Sequence, residues 1–358
     1  MKFLKSIVFV TIPTLLFLWF LLELFFRWII PAAEIPLSYF DETENIYRFD
    51  ENTNTEGVHT IGQLGQQKAN WQINNKGWLS TIDYESSGSE PLIAIIGDSY
   101  VEALQVNADQ SFPSLIRKAL KGQYRVYSFG KSGAPLSQYL HYSRYVKKHF
   151  NPKVIIFNVV HNDFIESLNA FNPNDKHFLT LKSSADTIVE VEPIVNYNLA
   201  QYSFAKRLVA KSALFRYAYL NLNLKGKIGS KKGNKNKEVT VNANINVSKV
   251  LKHKIEITKG VDYVFSCLNN EQPKSRIIFV IDAPRRDIYR GNKANSNVLF
   301  LNKLIADMCQ KYGFEYIDLT TTMQNDFKLN KIKFNSELDD HWDQYGHKIV
   351  AKQLLKLF

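Results

Sequence analysis

From residue 92 to the C-terminus, short apolar runs alternate with longer stretches whose apolar residues recur at helical spacing. Five runs are apolar enough to form strands buried on both faces: residues 92–96, 124–128, 153–160, 276–282 and 314–319. Parallel strands need crossover helices, which cover the sheet on both faces. The alternation therefore predicts an α/β fold, a flavodoxin-like three-layer sandwich with a five-stranded parallel sheet.

Helical spacing marks most of the connections between these strands. The predicted helices cover residues 111–120, 137–149, about 248–268, about 296–312 and 346–357. The alternation breaks between about residues 165 and 245, which we interpret as an insertion. Within it, four residues predict one face of a helix, interpreted as a packing surface: Phe204, Leu208, Phe215 and Tyr219.

The amino terminus carries a second strong pattern. Residues 6–22 contain no charged side chain and are almost all apolar, which is long for a signal-peptide core and just long enough for a membrane span. Lys2 and Lys5 precede this run, so the N-terminus is expected in the cytoplasm and the rest outside. We expect an uncleaved single-pass anchor in a bacterial inner membrane with a periplasmic or extracytoplasmic domain. A cleaved signal peptide is the alternative.

Two charged residues interrupt the end of this apolar segment. Glu23 and Arg27 lie four residues apart on one helical face and are expected to pair or to extend towards the headgroups. The chain thus divides into an N-terminal membrane anchor over residues 1–33, a juxtamembrane region over 34–90 and the α/β domain over 91–358. The juxtamembrane region is polar and irregular, and is expected to be a connection with a few short strands.

The positive charge of the chain is local. Lys and Arg number 45 against 34 Asp and Glu, a net charge of +11, and six lysines fall between Lys225 and Lys237. We interpret this stretch as an exposed loop, with contact to anionic lipid or an anionic polymer as the alternative. No helix-turn-helix or RNP-type pattern accompanies the charge, so nucleic acid is not an expected partner.

The cysteines leave one question open. Cys267 and Cys309 are the only two. Outside the cytoplasm they could form a disulfide, but both lie in apolar helical patterns that are typical of buried free thiols. No CxxC pair or Cys/His ligand spacing is present, so we expect neither a metal nor an organic cofactor.

Polar residues follow each predicted strand at the point where the chain leaves the sheet. In chain order these are Gly97-Asp98-Ser99, Gly130-Lys131-Ser132-Gly133, His161-Asn162-Asp163, Asp282 with Arg285 and Arg286, and Asp339-Asp340-His341-Trp342. The carboxyl ends of parallel strands meet at one edge of a sheet, where ligands bind. We therefore expect these residues to converge on a single site.

A Ser, a His and an Asp at one edge are the groups that acyl transfer requires. Ser99 is the expected nucleophile, and His341 the base that takes its proton. Asp339 is the expected partner that orients His341, with the adjacent Asp340 as an open alternative. His347, six residues further on, is a rival base whose place on a helix is more typical of a structural histidine.

The tetrahedral intermediate of acyl transfer needs fixed hydrogen-bond donors for its oxyanion. The candidates are the backbone N–H groups of Ser99 and Gly133 and the side-chain amide of Asn162. Gly133 carries no side chain that would block the approach of a substrate. Asp98, Glu102 and Asp163, close to these donors in the sequence, are expected to organise their loops.

At these residues the chain resembles the SGNH/GDSL hydrolase family. The resemblance covers roughly residues 90–165 and 275–358 and rests on four blocks in order, each after its predicted strand: Gly97-Asp98-Ser99, Gly133, Asn162 and His341. Two positions depart from the family pattern, because Val160 stands where Gly is usual and Leu338 where the usual Asp would stand three residues before His341. The Asp-x-His-Trp variant is similar to membrane-associated polysaccharide O-acetyltransferases and their relatives.

The resemblance implies a serine esterase or acyltransferase for O-acyl esters, with O-acetyl groups of a cell-envelope or secreted polysaccharide as the expected substrate. A transferase would need a membrane partner to deliver the acyl group, because no multi-span donor domain is present in the sequence. Two alternatives stay open. One is a non-catalytic carbohydrate-binding or assembly subunit, which the two departures suggest, and the other is a lipid-directed esterase.

Three residues are candidate substrate contacts. His161 follows the third strand, and Arg285 and Arg286 follow the fourth. An arginine pair could hold an anionic sugar or carboxylate. The alternatives are a histidine satisfied within its loop and arginines exposed to solvent.

Overall fold

The computed structural model describes residues 7–171, 177–184, 187–194, 211–222, 241–242, 245–291 and 296–358. The lysine-rich stretch at 225–237 lies outside these residues. So do Phe204 and Leu208, two members of the predicted helical face in the insertion.

The N-terminal third begins with a π-helical turn, Ile7–Thr11, that continues into α1, Ile12–Trp28. Together they form a helix long and apolar enough to cross a membrane, which fits a single-pass anchor or a signal sequence. Two antiparallel hairpins follow, β1 (Ser38–Asp41) with β2 (Ile46–Phe49) and β3 (Glu56–Ile61) with β4 (Gln67–Gln72).

The sheet strands form as the apolar runs predict. The remaining strands are β5 (Leu92–Gly97), β6 (Arg125–Gly130), β7 (Val154–Val159), β8 (Thr180–Ser184), β9 (Thr187–Val191), β10 (Val241–Asn242), β11 (Ile245–Asn246), β12 (Arg276–Ile281) and β13 (Glu315–Asp318). Five of them make one sheet in the order β13-β12-β7-β5-β6, and every pair in it is parallel. This is the flavodoxin-like order, and the predicted α/β sandwich is confirmed.

Helices fill the connections. They are α2 (Ser99–Glu102), α3 (Phe112–Ala119), α4 (Leu136–Phe150), α5 (Asp163–Glu166), α6 (Ala213–Arg216), α7 (Val247–Lys252), α8 (Lys254–Glu271), α9 (Arg285–Arg290), α10 (Leu299–Tyr312), α11 (Leu319–Asn330) and α12 (Gln344–Leu354). The single helix expected over 248–268 is two helices that meet at His253. A second π-helical turn, Tyr217–Asn221, follows α6.

Successive side chains of a strand point to opposite faces of the sheet, and helices cover both faces, so both are buried. Ile93 and Ile95 of β5 belong to the apolar cluster that contains residues of α3 and α12. Ala94 and Ile96, the alternate positions, belong to the cluster that contains residues of α4, α8 and α10. The cysteines lie outside any disulfide, Cys309 buried and Cys267 partly buried.

The region between the N-terminal helix and the sheet packs into this core rather than forming a loose connection. Trp78 is fully buried, with its ring edge-on to Phe129 and Tyr142 at centroid distances of 5.3 and 5.2 Å. Tyr84 stacks on Tyr127 at 4.0 Å. Its hydroxyl accepts a hydrogen bond from the Ser128 amide at 2.8 Å, so residues 74–84 form a cover over β6.

Candidate active site

Ser99 begins α2 directly after β5, in a turn that the sequence makes very tight. The Asp98 side chain caps α2 by accepting a hydrogen bond from the Tyr100 amide at 3.0 Å. A side chain at Gly97 would come within 2.4 Å of Val101, so the strand can turn into the helix here only with glycine. Because β6 and β7 lie on opposite sides of β5, Ser99 stands where the strand order reverses, which is where α/β sheets bind ligands.

Three side chains join in a chain of hydrogen bonds at this point. Ser99 Oγ lies 2.8 Å from His341 Nε2, and His341 Nδ1 lies 2.5 Å from Asp339 Oδ1. The same Asp339 oxygen accepts a hydrogen bond from the His341 backbone amide at 2.7 Å. Asp340 points elsewhere, with its carboxylate paired to Arg286. Of the two carboxylates left open by the sequence, Asp339 therefore contacts the imidazole.

Burial and the interaction between the two side chains shift the pKa values of His341 and Asp339 in opposite directions. Burial alone would lower the pKa of His341, but the hydrogen bond and the negative charge of Asp339 outweigh it and raise the pKa above its usual value. Burial would likewise raise the pKa of Asp339, and the hydrogen bond and charge of His341 lower it instead. The imidazole is thus a stronger base than free histidine, held by an ionised carboxylate.

Arg285 fixes the loop that carries His341. Its guanidinium is buried, lies 3.1 Å from Asp282 Oδ2 and donates to the Asp340 carbonyl oxygen at 2.6 Å. The Tyr100 hydroxyl donates to the same carbonyl at 3.2 Å. Arg285 is therefore not an exposed charge, and because it also lines a pocket beside this loop, its contact with substrate stays a prediction. Arg285 thus links the end of β12 to the loop before His341.

Two of the three donors proposed for the oxyanion, Gly133 and Asn162, follow the strands on either side of β5. Gly133 follows β6 and has a φ of +82°, a conformation in which any other residue would be strained. Asn162 follows β7, and its Nδ2 donates to Glu166 Oε2 at 2.9 Å. An amide nitrogen carries two hydrogens, so this bond orients the group and leaves the second N–H for another acceptor.

Glu102 and Lys131 hold the Gly133 loop against the serine helix. The buried Glu102 carboxylate lies 3.3 Å from Lys131 Nζ and also accepts a hydrogen bond from the Ser132 hydroxyl. The Lys131 ammonium group is buried 3.8 Å from the centre of the Phe49 ring. The sequence suggested a loop-organising role for Glu102. Lys131 was expected near the site, but its contacts with Glu102 and Phe49 were not predicted, because they join segments far apart in the chain.

Two further carboxyl groups are buried behind Ser99. Asp98 Oδ2 lies 3.2 Å from Ser99 Oγ. Asp163 Oδ2 accepts hydrogen bonds from the Val160 amide at 2.8 Å and the Tyr139 hydroxyl at 2.7 Å. Burial raises the pKa of both carboxyl groups. Each therefore organises a turn, as the sequence suggested.

Three further histidines lie close to the triad or to the pocket beside it. His161 is fully buried, its Nε2 lies 2.9 Å from Asn302 Oδ1, and the residue is part of the lining of that pocket. His347 accepts a hydrogen bond from the Phe112 amide at 3.2 Å, and burial lowers its pKa to about 3. His347 is therefore neutral, and its Nδ1 already accepts a hydrogen bond, which is typical of a structural histidine rather than a catalytic base. Burial lowers the pKa of His59 on β3, and the nearby charge of Asp339 opposes this shift. No sequence pattern identified His59.

A small pocket opens beside the loop that carries His341. All three candidate substrate contacts, His161, Arg285 and Arg286, are among its lining residues, together with Tyr100, Asn162, Asn335 and Asp340. Arg286 is partly exposed at the edge of this pocket and paired with Asp340. The pocket therefore brings the three candidate contacts together.

A parallel sheet of this order, with hydroxyl, imidazole and carboxylate joined at its carboxyl edge, defines an α/β enzyme of the ester-hydrolysing class. The sequence model of the GDSL-like lipase/acylhydrolase family matches residues 93–354. The chain belongs to this family, and the resemblance drawn from the four blocks is confirmed. A comparison with curated protein sequences found no significant match.

Solved structures with a similar fold include three esterases or lipolytic proteins. A member of the lipolytic G-D-S-L family from Veillonella parvula is 11% identical, with a TM-score of 0.41 over 75% of this chain and 97% of its own. An acetyl xylan esterase is 12% identical, with a TM-score of 0.40 over 74% and 98% of the two chains. A catalytic mutant of an acetylxylan esterase from Geobacillus stearothermophilus is 10% identical, with a TM-score of 0.39 over 76% and 95%.

Proposed function

We propose that this enzyme forms an acyl-enzyme on Ser99 and acts on O-acyl esters, chiefly O-acetyl esters, of an extracytoplasmic polysaccharide. The observation that carries the proposal is the continuous contact from Ser99 Oγ through His341 to Asp339, at 2.8 and 2.5 Å. A serine hydroxyl becomes a useful nucleophile only when a base stands within hydrogen-bond reach and a third group orients that base.

In the first half-reaction, Ser99 Oγ attacks the carbonyl carbon of the ester while its proton passes to His341 Nε2. The negative oxygen of the tetrahedral intermediate accepts hydrogen bonds from the Ser99 and Gly133 amides and from Asn162. Collapse of the intermediate breaks the bond to the sugar oxygen, which leaves with the proton from His341. Asp339 stabilises the imidazolium between these two transfers.

In the second half-reaction, His341 takes a proton from the acyl acceptor as the acceptor oxygen attacks the carbonyl carbon of the acyl-serine. The bond from that carbon to Ser99 Oγ then breaks, and His341 returns the proton to Ser99 Oγ. Water as the acceptor gives a hydrolase, whereas a sugar hydroxyl gives a transferase. Asn335 and Arg286, which line the small pocket beside the His341 loop, offer hydrogen-bond donors to the hydroxyl groups of a glycan bound at the surface. The apolar helix at the N-terminus supports placement of the domain outside the cytoplasm, at the membrane.

The test uses the full chain in detergent with p-nitrophenyl acetate as substrate. Ser99→Ala and His341→Ala should each reduce turnover by at least about a thousandfold, since the triad acts as a unit. Ser89→Ala, at an exposed loop serine that bonds only its neighbour Glu90, is the matched control and should keep full activity. Equal activity in all four proteins, with circular dichroism showing folded chains, would reject the proposal and favour a non-catalytic binding subunit.

The acceptor and the acyl chain need separate measurements. Transfer of labelled acetyl from a donor ester to an added glycan, absent in Ser99→Ala, would identify a transferase. Release of free acetate alone would identify a hydrolase. A preference for long-chain over acetyl esters would contradict the polysaccharide substrate and favour a lipid-directed esterase.

A further inference from the structure

The N-terminal helix carries one buried carboxylate in an otherwise exposed apolar surface. The helix Ile7–Trp28 contains an 18-residue stretch with a mean hydropathy of 2.3, yet Glu23 is only 8% exposed. Its carboxylate accepts hydrogen bonds from the Ser212 hydroxyl at 2.7 Å and from the Ala213 and Leu214 amides at 2.8 and 3.1 Å. A segment of the distant insertion is therefore bound to the helix at this point.

Arg27 strengthens the attachment. Its guanidinium lies 2.6 Å from Glu23 and donates to the Lys211 carbonyl oxygen at 3.0 Å. One helical turn thus supplies both a hydrogen-bond acceptor and a donor to the start of the insertion segment, residues 211–222. The predicted pairing of Glu23 with Arg27 is present, and a second function for the pair comes with it.

Two more contacts join the same segment to the end of the helix and the chain beyond it. The Phe26 ring stacks on Tyr217 with centroids 3.9 Å apart. The Ala33 amide donates to Asn221 Oδ1 at 2.9 Å. Residues 211–222 therefore follow the last turns of the helix and the chain just beyond it.

The length of the helix sets the depth of these contacts in a membrane. Its 22 residues extend about 33 Å at about 1.5 Å per residue, and the hydrocarbon core of a bilayer is about 30 Å thick. If Ile7–Trp28 spans the bilayer, Glu23 and Phe26 lie in the last two turns of the helix, about 8 and 3 Å below its outer end. A segment in contact with them must lie at the same depth.

The exposed side chains around this contact suit the headgroup region. Phe215 and Tyr219 of the segment are 48% and 54% exposed, and Trp28 and Ile29 of the helix end are 70% and 67% exposed. Phe215 and Tyr219 thus do not form the packing surface expected from the sequence. Trp and Tyr concentrate at membrane interfaces because their rings are apolar and their polar atoms reach water.

We propose that residues 211–222 form an interfacial membrane-binding element that lies beside the anchor where the hydrocarbon core meets the headgroups, on the outer side of the bilayer. The proposal rests on the membrane span of the N-terminal helix and is independent of the esterase reaction. The lipid surface is the partner because the segment is held against the helix at bilayer depth, with its aromatic side chains outward. The contacts of Glu23 fix it there, so the catalytic domain is attached to the membrane at two points.

The test places one fluorescent label at a time on the full chain in vesicles of phosphatidylcholine and phosphatidylglycerol. A background with Cys267→Ala and Cys309→Ala accepts single cysteines at Phe17, Phe215, Tyr219 and Leu329. Phe17 lies in the helix, and Leu329 is an 81% exposed residue of the α/β domain that serves as the aqueous control. Quenching is measured with headgroup-labelled nitroxide lipid and with aqueous iodide.

Labels at 215 and 219 should be quenched by the nitroxide lipid and protected from iodide, whereas the label at 329 should behave in the opposite way. Glu23→Gln should reduce the lipid quenching at 215 and 219 and leave that at 17 unchanged. A label at 17 that is exposed to lipid, together with labels at 215 and 219 that are exposed to iodide, would overturn this inference and leave the membrane anchor intact. A label at 17 in water would instead reject the anchor, and ester hydrolysis by the same samples reports separately on the proposed function.

Protection of 215 and 219 from both quenchers would also contradict the proposal. That result would mean that protein, such as a second copy of this chain, covers the segment.

Discussion

At the scale of single residues, the adjacent pair Asp339 and Asp340 offers a matched experiment. Asp339 contacts the imidazole at 2.5 Å, whereas the Asp340 carboxylate pairs with Arg286. Asp339→Asn should lower kcat by about two to four orders of magnitude, because an amide neither fixes the tautomer nor stabilises the imidazolium. The kcat of Asp340→Asn should stay within about tenfold of the wild-type value, because the Asp340 carboxylate pairs with Arg286 at the edge of the pocket and not with the imidazole. Comparable losses in both variants would contradict the assignment.

The pH profile of the same variants tests the electrostatics. His341 accepts a proton only when neutral, so activity falls as the pH drops through its pKa. Despite its burial, the charge and hydrogen bond of Asp339 raise this pKa, and the acidic limb of kcat/KM should lie above the value of about 6.5 for free histidine. In Asp339→Asn the residual activity should have its acidic limb at lower pH. A limb that does not move would mean that Asp339 does not govern His341.

Glu102 allows a test of how the Gly133 loop is held. Glu102→Gln leaves the buried Lys131 ammonium group without its charged partner and weakens the contact to Ser132. We expect kcat to fall by about tenfold to a hundredfold with KM little changed, because the loop supplies a transition-state donor. The affinity of a boronic acid, which forms a tetrahedral adduct with the serine, should fall in proportion to kcat. Reduced thermal stability with unchanged kcat would show a purely structural role.

At the scale of elements, the sheet was predictable strand by strand and the site loops were predictable in order. Leu92–Gly97 and Val154–Val159 are continuous apolar runs whose burial on both faces admits only a central parallel strand. The position of Ser99 followed from the end of such a run. The apolar pattern marks elements well because burial is a property of each segment by itself.

Contacts between distant segments were not predictable in the same way. Glu102, Lys131 and Phe49 meet only after the first hairpin packs on the sheet, and each residue is unremarkable in its own segment. The attachment of Glu23 to Ser212 spans 189 positions in the chain. Single-sequence patterns have a range of a few helical turns, so pairings of this kind need the structure.

The close approach of α2 to β6 gives a prediction for glycine substitutions. A side chain at Gly130 would come within 2.3 Å of the Glu102 backbone nitrogen, so Gly130→Ala should cost about 3 kcal/mol of stability and displace the serine helix. Gly260→Ala is the matched control, since its new methyl group would make ordinary contacts at 3.5 Å within α8. It should stabilise the helix by about 1 kcal/mol. Thermal unfolding of the two variants in one detergent measures both, and equal effects would refute the packing argument.

At the scale of the whole molecule, residues 34–90 contribute side chains that pack on the α/β domain. Trp78 and Tyr84 pack on the sheet, and Gln67 donates to the Gln105 carbonyl oxygen at 2.9 Å. We therefore expect a fragment of residues 34–358 to fold, and a fragment of residues 91–358 to show a lower unfolding temperature or to aggregate. Equal unfolding temperatures for the two fragments would mean that the boundary at residue 90 separates independent units.

The account as a whole depends on a covalent acyl group on Ser99. The most direct measurement is peptide mass spectrometry of the full-length enzyme after rapid acid quench during turnover of p-nitrophenyl acetate. We predict an acetyl group on the peptide that contains Ser99, absent from the Ser99→Ala protein and lost when the enzyme is left to react with water. Ester turnover without this adduct, or with the acetyl group on another residue, would contradict the mechanism derived from the Ser99–His341–Asp339 geometry.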